Sequence, residues 1–176
     1  MKILIISDTH GAHRNFDRVI EKEQPLDMLI HLGDVEGDED YIPAVADCPV
    51  HMVRGNNDFF SDLPGEEEFM IGGYHIFITH GHGYYVSMGE ERLKQEARGR
   101  GADIAMYGHT HRPFYEKEKE KENFMVLKQR KTVLIVSALL TAQMVMQEAV
   151  QAFEEVSQPE VQITETAQEG ELVSQS

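Results

Sequence analysis

The sequence predicts an α/β protein in which buried parallel strands alternate with helices. Three observations support this fold class. Short apolar runs rich in β-branched residues suit strands that are covered on both faces. An amphipathic helical pattern follows the first of these runs, and most runs end in a polar turn that contains Gly, Asp, Asn or His. At 176 residues the chain has the length of a single domain, which we expect to comprise residues 1–176.

The strand candidates are apolar runs of three to five residues that lie between turn residues. Two successive runs flank Gly72 and Gly73, and this spacing predicts a β-hairpin with a glycine turn. The other runs are separated by longer segments, as in a sheet built from strand-helix-strand steps. The candidate strands lie at 3–6, 28–32, 50–53, 69–71, 74–78 and 104–107.

The first helix is predicted over residues 14 to 24. Phe16, Val19 and Ile20 lie three and four positions apart between charged residues, which places them on one helix face. Pro25 follows and predicts that the helix stops there.

A second helix is predicted to open at Ser87, because Ser87 and Glu90 have capping-box spacing, and to run to about Gly99. The composition changes further along the chain. Residues 116–122 alternate Glu and Lys, a pattern that a strand, a helix or a solvated linker or hairpin can carry. Residues 148–176 contain seven glutamates and no Lys, Arg or Asp, so this acidic end is a separate compositional block.

Charge and cysteine usage exclude several classes of protein. With 31 acidic and 16 basic residues the net charge is −15, and such a field repels an extended phosphate backbone, so broad nucleic-acid binding is not expected. Cys48, the single cysteine, cannot form an internal disulfide, which favours a reducing, cytoplasmic location. The first apolar run is too short for a signal peptide, and the uncharged stretch 132–147 is too short to span a membrane.

Five polar clusters each follow a strand candidate. Ligands of open α/β sheets bind beyond the carboxyl ends of the strands, so these clusters are expected to share one site. Carboxylate, amide and imidazole groups without a thiolate suit manganese, iron, nickel, cobalt or zinc better than calcium. Seven such ligands suit two ions that share a carboxylate, about 3.5 to 4 Å apart. The clusters are Asp8-Thr9-His10, Gly33-Asp34, Gly55-Asn56-Asn57-Asp58, His80-Gly81-His82 and Gly108-His109-Thr110-His111.

In this order, and in the contexts "SDTHG", "HLGDV", "RGNND", "THGH" and "YGHTHRP", the clusters resemble the calcineurin-like metallophosphoesterases. The small YfcE-type phosphodiesterases of that family are the most similar. The resemblance covers residues 1 to about 115 and implies a layered αββα sandwich, with two mixed sheets flanked by helices. Residues 116–176 diverge from the family and form the acidic C-terminal part, whose polar end we expect to fray.

The resemblance also implies a dinuclear metal centre, with manganese expected and nickel, iron, cobalt or zinc as alternatives. Asp34 would bridge the two ions, and a hydroxide between them would attack phosphorus. Gly33, Gly55 and Gly108 would let the backbone turn closely beside the ions. The implied ligands are Asp8, His10, Asp34 and His111 for one ion, and Asp34, Asn56, His80 and His109 for the other.

The chain departs from the family at two places. Asn57 stands where larger members often have His, and an amide can donate a hydrogen bond but cannot supply a proton. We therefore expect Asn57 to orient the substrate, and His82 to contact the phosphate or protonate the leaving group. After the apolar run 133–135, residues 136–139 replace a polar turn of the small members, so either the strand continues or the C-terminal part packs in its own way.

Other polar residues in or near the clusters are expected to have structural roles. Asp58 is expected to close its turn by accepting backbone N–H groups. Arg54 and Arg112 flank the ligand loops; pairing with carboxylates is favoured over contact with a substrate phosphate. Histidines within the strand candidates are expected to be packed residues outside the site; these are His31, His51 and His75.

The implied function is metal-dependent hydrolysis of a small phosphodiester. A phosphomonoesterase or nucleotide hydrolase of the same fold is the first alternative. A non-catalytic scaffold of the retromer-subunit type is the second, and the acidic end would then bind a partner. No membrane association is expected, and homo-oligomerisation is an expectation by resemblance only.

Overall fold

The structure is a computed structural model that describes residues 1–111 in full and the backbone of three later strands. The strands are β1 (Lys2–Ile6), β2 (Met28–His31), β3 (Val50–Met52), β4 (Glu66–Ile71), β5 (Tyr74–Thr79), β6 (Ile104–Tyr107), β7 (Phe114–Lys117), β8 (Met125–Lys128) and β9 (Leu134–Ser137). The helices are α1 (His13–Glu23), α2 (Tyr41–Ala46) and α3 (Glu91–Gly99), with one 3-10 turn at His82–Tyr84.

The strands form two mixed sheets. The first has the order β3-β2-β1-β9, in which β1, β2 and β3 are parallel and β9 is antiparallel to β1. The second has the order β4-β5-β6-β8-β7, in which β5, β6 and β8 are parallel while β4 and β7 are antiparallel edge strands. The prediction of an α/β fold with two mixed sheets is confirmed.

Side chains on β1 alternate between two apolar layers. Ile3 and Ile5 are buried in the core between the sheets, whereas Leu4 and Ile6 are buried against the first pair of helices. A strand covered on both faces must be apolar at every position, which explains the unbroken run at 3–6. The inner core also contains Ile30, Leu32, Val53, Ile71, Ile76, Ile78, Ile104 and Met106.

Helices cover the outer face of each sheet. Phe16 and Ile20 of α1 pack in the cluster on the first sheet, and Leu93 and Ala97 of α3 pack in a cluster with Phe77 of the second. Each pair is spaced four residues apart, so both members lie on the helix face that meets the sheet. The layers therefore follow the order helix, sheet, sheet, helix, as predicted.

The predicted start of the second long helix at Ser87 is wrong. The helix begins at Glu91, because Gly89 has a φ of +142°, which a right-handed helix cannot contain. Residues 87–90 form turns instead, in which Met88 N–H donates to the carbonyl of Tyr85.

The short helix α2 was not predicted. Its six residues bury Ile42 and Ala46, and a segment of this length shows little periodicity in the sequence. Pro43 lies in the first turn of α2, where backbone N–H groups make no hydrogen bond within the helix, so proline is tolerated there.

The later strands bear on two points that the sequence left open, the structure of the Glu-Lys repeat and the end of the last apolar run. Glu116 and Lys117 lie at the end of β7, which pairs antiparallel with β8. The start of the repeat is therefore a strand in an antiparallel pair. β9 runs through Val136 to Ser137 and pairs with β1, so the strand continues that far. Residues 118–124 and the acidic block 148–176 lie outside the described residues.

Within the described part of the chain, each helix is too short or too polar to cross a lipid bilayer.

Candidate metal centre

The predicted site residues converge at the carboxyl ends of five parallel strands, three in the first sheet and two in the second. Backbone hydrogen bonds join the first two loops, from Asp8 N–H to the Gly33 carbonyl (2.9 Å) and from His10 N–H to the Asp34 carbonyl (3.0 Å). The site residues are Asp8 and His10 after β1, Asp34 after β2, Asn56 and Asn57 after β3, His80 and His82 after β5, and His109 and His111 after β6.

Five of these residues adopt a left-handed backbone conformation that side chains with a Cβ seldom take. Such a conformation costs about 1 kcal/mol or more per residue and persists only where the surroundings impose it. The backbone therefore places these side chains at an energetic cost, as at many functional sites. They are Asp8, His10, Asp34, His109 and His111, with φ between 48° and 70°.

One group of possible ligands consists of Asp8, His10 and His111, whose ligand atoms lie within 4.8 Å of one another. His111 Nε2 is 3.1 Å from Asp8 Oδ1. Asp8 Oδ2 accepts a hydrogen bond from Ser7 Oγ, whereas the buried Oδ1 accepts none. A buried carboxylate oxygen without a hydrogen bond is costly, and a cation beside it would remove that cost.

A second group consists of Asp8, Asp34 and His80, all of them buried and again within 4.8 Å. His80 Nε2 is 3.5 Å from Asp34 Oδ2 and 3.1 Å from Asn56 Oδ1. The other ring nitrogen, Nδ1, donates to the Leu32 carbonyl at 2.7 Å. Burial acts to lower the pKa of His80, but the adjacent Asp34 carboxylate outweighs it and raises that pKa.

Asp34 belongs to the second group, whereas Asp8 is the carboxylate common to both groups. Burial acts to raise the pKa of Asp34, but the hydrogen bonds with His80 and Asn57 prevail and lower the pKa of Asp34 to about 2. Asn57 contributes both its backbone N–H, to Oδ1 at 2.9 Å, and its side-chain amide, to Oδ2 at 3.0 Å. Asn57 thus fixes the orientation of Asp34.

His109 is near the second group but is not a member of either one. Its ring centroid lies 5.1 Å from that of His80. Burial, and after it the charge of His80, lowers the pKa of His109.

His82 lies at the exposed rim, in the 3-10 turn that follows Gly81. Its ring centroid is 5.5 Å from that of His80 and 6.2 Å from that of His109. Partial burial, together with the charges of those two histidines, lowers the pKa of His82.

Three glycines, Gly33, Gly55 and Gly108, allow the loops to approach one another closely. A Cβ at Gly33 would lie 2.7 Å from His80 Nδ1, and one at Gly55 would lie 2.1 Å from Asp34 Oδ1. A Cβ at Gly108 would lie 1.9 Å from Ser7 Oγ. No other amino acid fits these positions without a shift of the neighbouring atoms.

Asp58 closes its turn by accepting backbone hydrogen bonds, as predicted, and it also reaches the loop after β2. Its two carboxylate oxygens accept four N–H groups in all. The donors are Gly55 at 2.6 Å, Glu36 at 2.7 Å, Val35 at 2.8 Å and Asp34 at 2.9 Å.

Sequence reasoning did not identify Glu36, whose carboxylate Oε1 lies 2.6 Å from His10 Nδ1. The only sign of it in the sequence was its position two residues after Asp34.

The expectation that Arg54 pairs with a carboxylate is wrong for the described residues, among which this exposed arginine forms no ion pair. Arg112 lies outside them.

The strand histidines pack against other side chains, as predicted, and belong to neither group of possible ligands. His31 is fully buried and contacts Thr9 Oγ1 at 3.0 Å. His51 stacks on Phe69 with a 3.6 Å centroid distance, and His75 Nε2 lies 2.9 Å from a carboxylate oxygen of Glu68.

The oxygen and nitrogen donors, the orphaned Asp8 oxygen and the close loop packing fit a divalent metal centre on a phosphoesterase-type sandwich. The sequence profile of the calcineurin-like phosphoesterase superfamily domain matches residues 1–156. The chain belongs to this superfamily.

Several named relatives are similar to the chain. The probable metallophosphoesterase YsnB of Bacillus subtilis is 34% identical over 63% of this chain and 64% of its own length. A probable metallophosphoesterase of Methanocaldococcus jannaschii is 33% identical over 66% of this chain and 62% of its own. The chain thus spans somewhat less than two thirds of these relatives. The phosphodiesterase YfcE of Escherichia coli is 30% identical over 70% of this chain and 77% of its own length.

Solved structures share the fold. A conserved uncharacterised protein of Streptococcus pneumoniae superposes with a TM-score of 0.63 at 24% identity, covering 80% of this chain and 76% of the other. Vps29 of Entamoeba histolytica, solved in complex with zinc, superposes with a TM-score of 0.62 at 22% identity, covering 78% of this chain and 86% of Vps29.

Proposed function

We propose that this protein is a metal-dependent phosphodiesterase that hydrolyses a small phosphodiester. The observation that carries the proposal is the buried Asp8 Oδ1, which accepts no hydrogen bond at the centre of converging imidazole and carboxylate groups. His111 Nε2, itself a candidate ligand, lies 3.1 Å from this oxygen without a hydrogen bond to it. A buried acceptor without a hydrogen bond lowers the stability of the fold, and a cation between these two groups would remove that cost.

Two divalent ions are proposed at this centre, with manganese as the first candidate and nickel, iron, cobalt or zinc as alternatives. The first ion would be held by Asp8, His10, Asp34 and His111, and the second by Asp34, Asn56, His80 and His109. Bound there, the ions would generate a nucleophile from water near neutral pH and neutralise charge on the phosphate.

The residues of the chain prepare this site in three ways. Asp34 is ionised at neutral pH because its pKa is about 2, so it can join two cations without first losing a proton. Asn57 holds both oxygens of Asp34 in place. The lowered pKa of His82 favours its neutral ring over the imidazolium, so we assign it a hydrogen bond to the phosphate, while a good leaving group departs without an acid.

A phosphodiester is favoured because YfcE, a named phosphodiesterase, is 30% identical to the chain. A phosphomonoester or nucleotide substrate is the alternative within the same chemistry. The likeness to Vps29 supports a scaffold as a second candidate. All seven proposed metal donors are present here, which favours the enzyme.

Hydrolysis of bis(4-nitrophenyl) phosphate and of 4-nitrophenyl phosphate tests the proposal. Chelator-stripped protein should be inactive, and manganese should restore turnover with the diester preferred. Asp34→Asn should remain inactive, because it weakens the shared ligand, while the exposed Asp62→Asn control should behave as wild type.

Manganese should also raise the melting temperature of the stripped protein, since ions that bind only the folded state stabilise it. At a free metal concentration 100 times the Kd, the gain is about 2.7 kcal/mol. Metal binding without turnover on either ester would favour the scaffold; no change in melting temperature would refute the metal centre itself.

A further inference from the structure

We propose that Glu36 is a positioning residue for the metal centre, which sets the orientation of the His10 ring and which of its nitrogens is free, without touching the metal or the substrate. This inference rests on the proposed function, because it concerns the affinity of that same centre for metal.

The contact between Glu36 and His10 determines which ring nitrogen is free. Oε1 of Glu36 lies 2.6 Å from Nδ1 of His10, so the Nδ1–H group donates to the carboxylate. The other nitrogen, Nε2, then carries the lone pair. It faces the site, 3.9 Å from Oδ2 of Asp34 and within the cluster of Asp8, His10 and His111.

The backbone holds Glu36 in position for this contact. Glu36 has a φ of +55°, a conformation that a residue with a side chain adopts only when its surroundings impose it. The backbone N–H of Glu36 donates to Asp58 Oδ1 at 2.7 Å, and Asp58 also binds the N–H of Asp34. The carboxylate that supports His10 is therefore fixed to the same loop as Asp34.

Two of the four histidines proposed as ligands, His10 and His80, differ in what their Nδ1 atoms contact. Nδ1 of His80 donates to a neutral backbone carbonyl, that of Leu32, whereas Nδ1 of His10 donates to a carboxylate. A carboxylate supports a metal-bound imidazole more than a carbonyl does, because it stabilises the positive charge that the metal induces on the ring. Glu36 should thus strengthen the binding of the ion that His10 contacts, and not that of the other ion.

The test is calorimetric titration of manganese into chelator-stripped full-length protein. Loss of such a supporting partner typically weakens metal binding by about 10- to 100-fold. Glu36→Ala should show this loss at one of two ions, and Glu36→Gln, which keeps an acceptor but not the charge, should show a smaller one. Glu39→Gln and Glu39→Ala are the matched controls from the same loop, and both should titrate as wild type.

The melting temperature of the metal-free variants separates positioning from general stability. It should stay at the wild-type value, because Glu36 is exposed and the substitution does not alter the left-handed backbone requirement. Unchanged affinity in Glu36→Ala, or equal weakening of both ions, would overturn the role of Glu36 while leaving the metal centre intact. If the wild-type protein bound no manganese, the proposed function would fail and this inference with it.

Discussion

Asp58 accepts the backbone N–H of Asp34 over 2.9 Å, although the two residues belong to loops after different strands. The same carboxylate oxygen accepts the N–H of Gly55, and the other oxygen accepts those of Val35 and Glu36. A single side chain thus sets the relative position of the two loops that carry Asp34, Asn56 and Asn57.

Asp58→Ala should destabilise the protein strongly. It leaves four N–H groups without their acceptor, and those of Asp34, Val35 and Gly55 belong to buried residues. The expected loss is about 3 kcal/mol or more, since each unsatisfied buried donor costs about 1 to 3 kcal/mol before the structure relaxes. Urea unfolding measures this loss. Asp62→Ala, in an exposed position of the same loop, is the control, and equal stability of the two variants would contradict the prediction.

Gly55→Ala should damage the site through the backbone. The new Cβ would lie 2.1 Å from Asp34 Oδ1 and 2.4 Å from Asp34 N, and neither the buried carboxylate nor the backbone has room to move freely. We expect a loss of about 3 kcal/mol, at the upper end of overpacking effects, together with weaker manganese binding.

The matched control for that substitution is Gly99→Ala. Apart from its chain neighbours and the backbone of its own helix, no atom of the described residues lies within 4 Å of a Cβ at Gly99, the last residue of α3. This variant should therefore be as stable as wild type or up to about 1 kcal/mol more stable. A Gly55→Ala protein with wild-type stability and metal affinity would show that the loop is more adaptable than the structure indicates.

His31 should make the fold sensitive to acid. Burial lowers its pKa from about 6.5 to about 3, and its Nδ1 accepts the N–H of Gly33 at 3.2 Å, so the neutral ring is the folded form. A lowered folded-state pKa gives stability that is complete above pH 6.5 and is lost as the pH falls toward 3. Between pH 7 and pH 5 the loss from His31 is about 2 kcal/mol.

Urea unfolding at the two pH values measures this loss. His31→Asn keeps an acceptor near Gly33 but does not titrate, so its stability should fall about 2 kcal/mol less than that of wild type over the same interval. An identical fall in both proteins would assign the acid sensitivity to other groups.

Arg54 should contribute to substrate binding. It is exposed, directly precedes the Gly55-Asn56 loop, acts on the pKa of His82, and forms no ion pair with the described carboxylates. Arg54→Gln should therefore raise KM for bis(4-nitrophenyl) phosphate by about 3- to 10-fold with little change in kcat, as loss of an exposed charged contact would do.

The effect of Arg54 should diminish at high ionic strength, because salt screens exposed charges. Arg54→Lys keeps the charge and should lie between wild type and Arg54→Gln. Equal KM values for all three proteins would assign no substrate contact to this residue.

Most of the architecture could be predicted because burial on both faces dictates the composition of a strand. The run at 3–6 is apolar throughout since its residues enter two different cores. The start of α3 could not be predicted from Ser87 and Glu90, because the conformation of Gly89 decides it and glycine is compatible with many conformations.

The sequence predicted that the polar residues at the strand ends lie close together, and the structure places ligand atoms of Asp8, Asp34 and His80 within 4.8 Å of one another. Which of these residues bind each ion stays a prediction. The support that orients them comes from pairs distant in sequence, such as His10 with Glu36, and neither periodicity nor local spacing encodes such a pair.

The positions of Asp8 and His80 have a mechanical consequence. Asp8 follows a strand of the first sheet and His80 follows a strand of the second, and the core between these sheets consists of apolar contacts without direction. A ligand that binds Asp8 and His80 together would cross-link the two sheets at this end of the sandwich. It would oppose sliding of one sheet past the other and local opening between them.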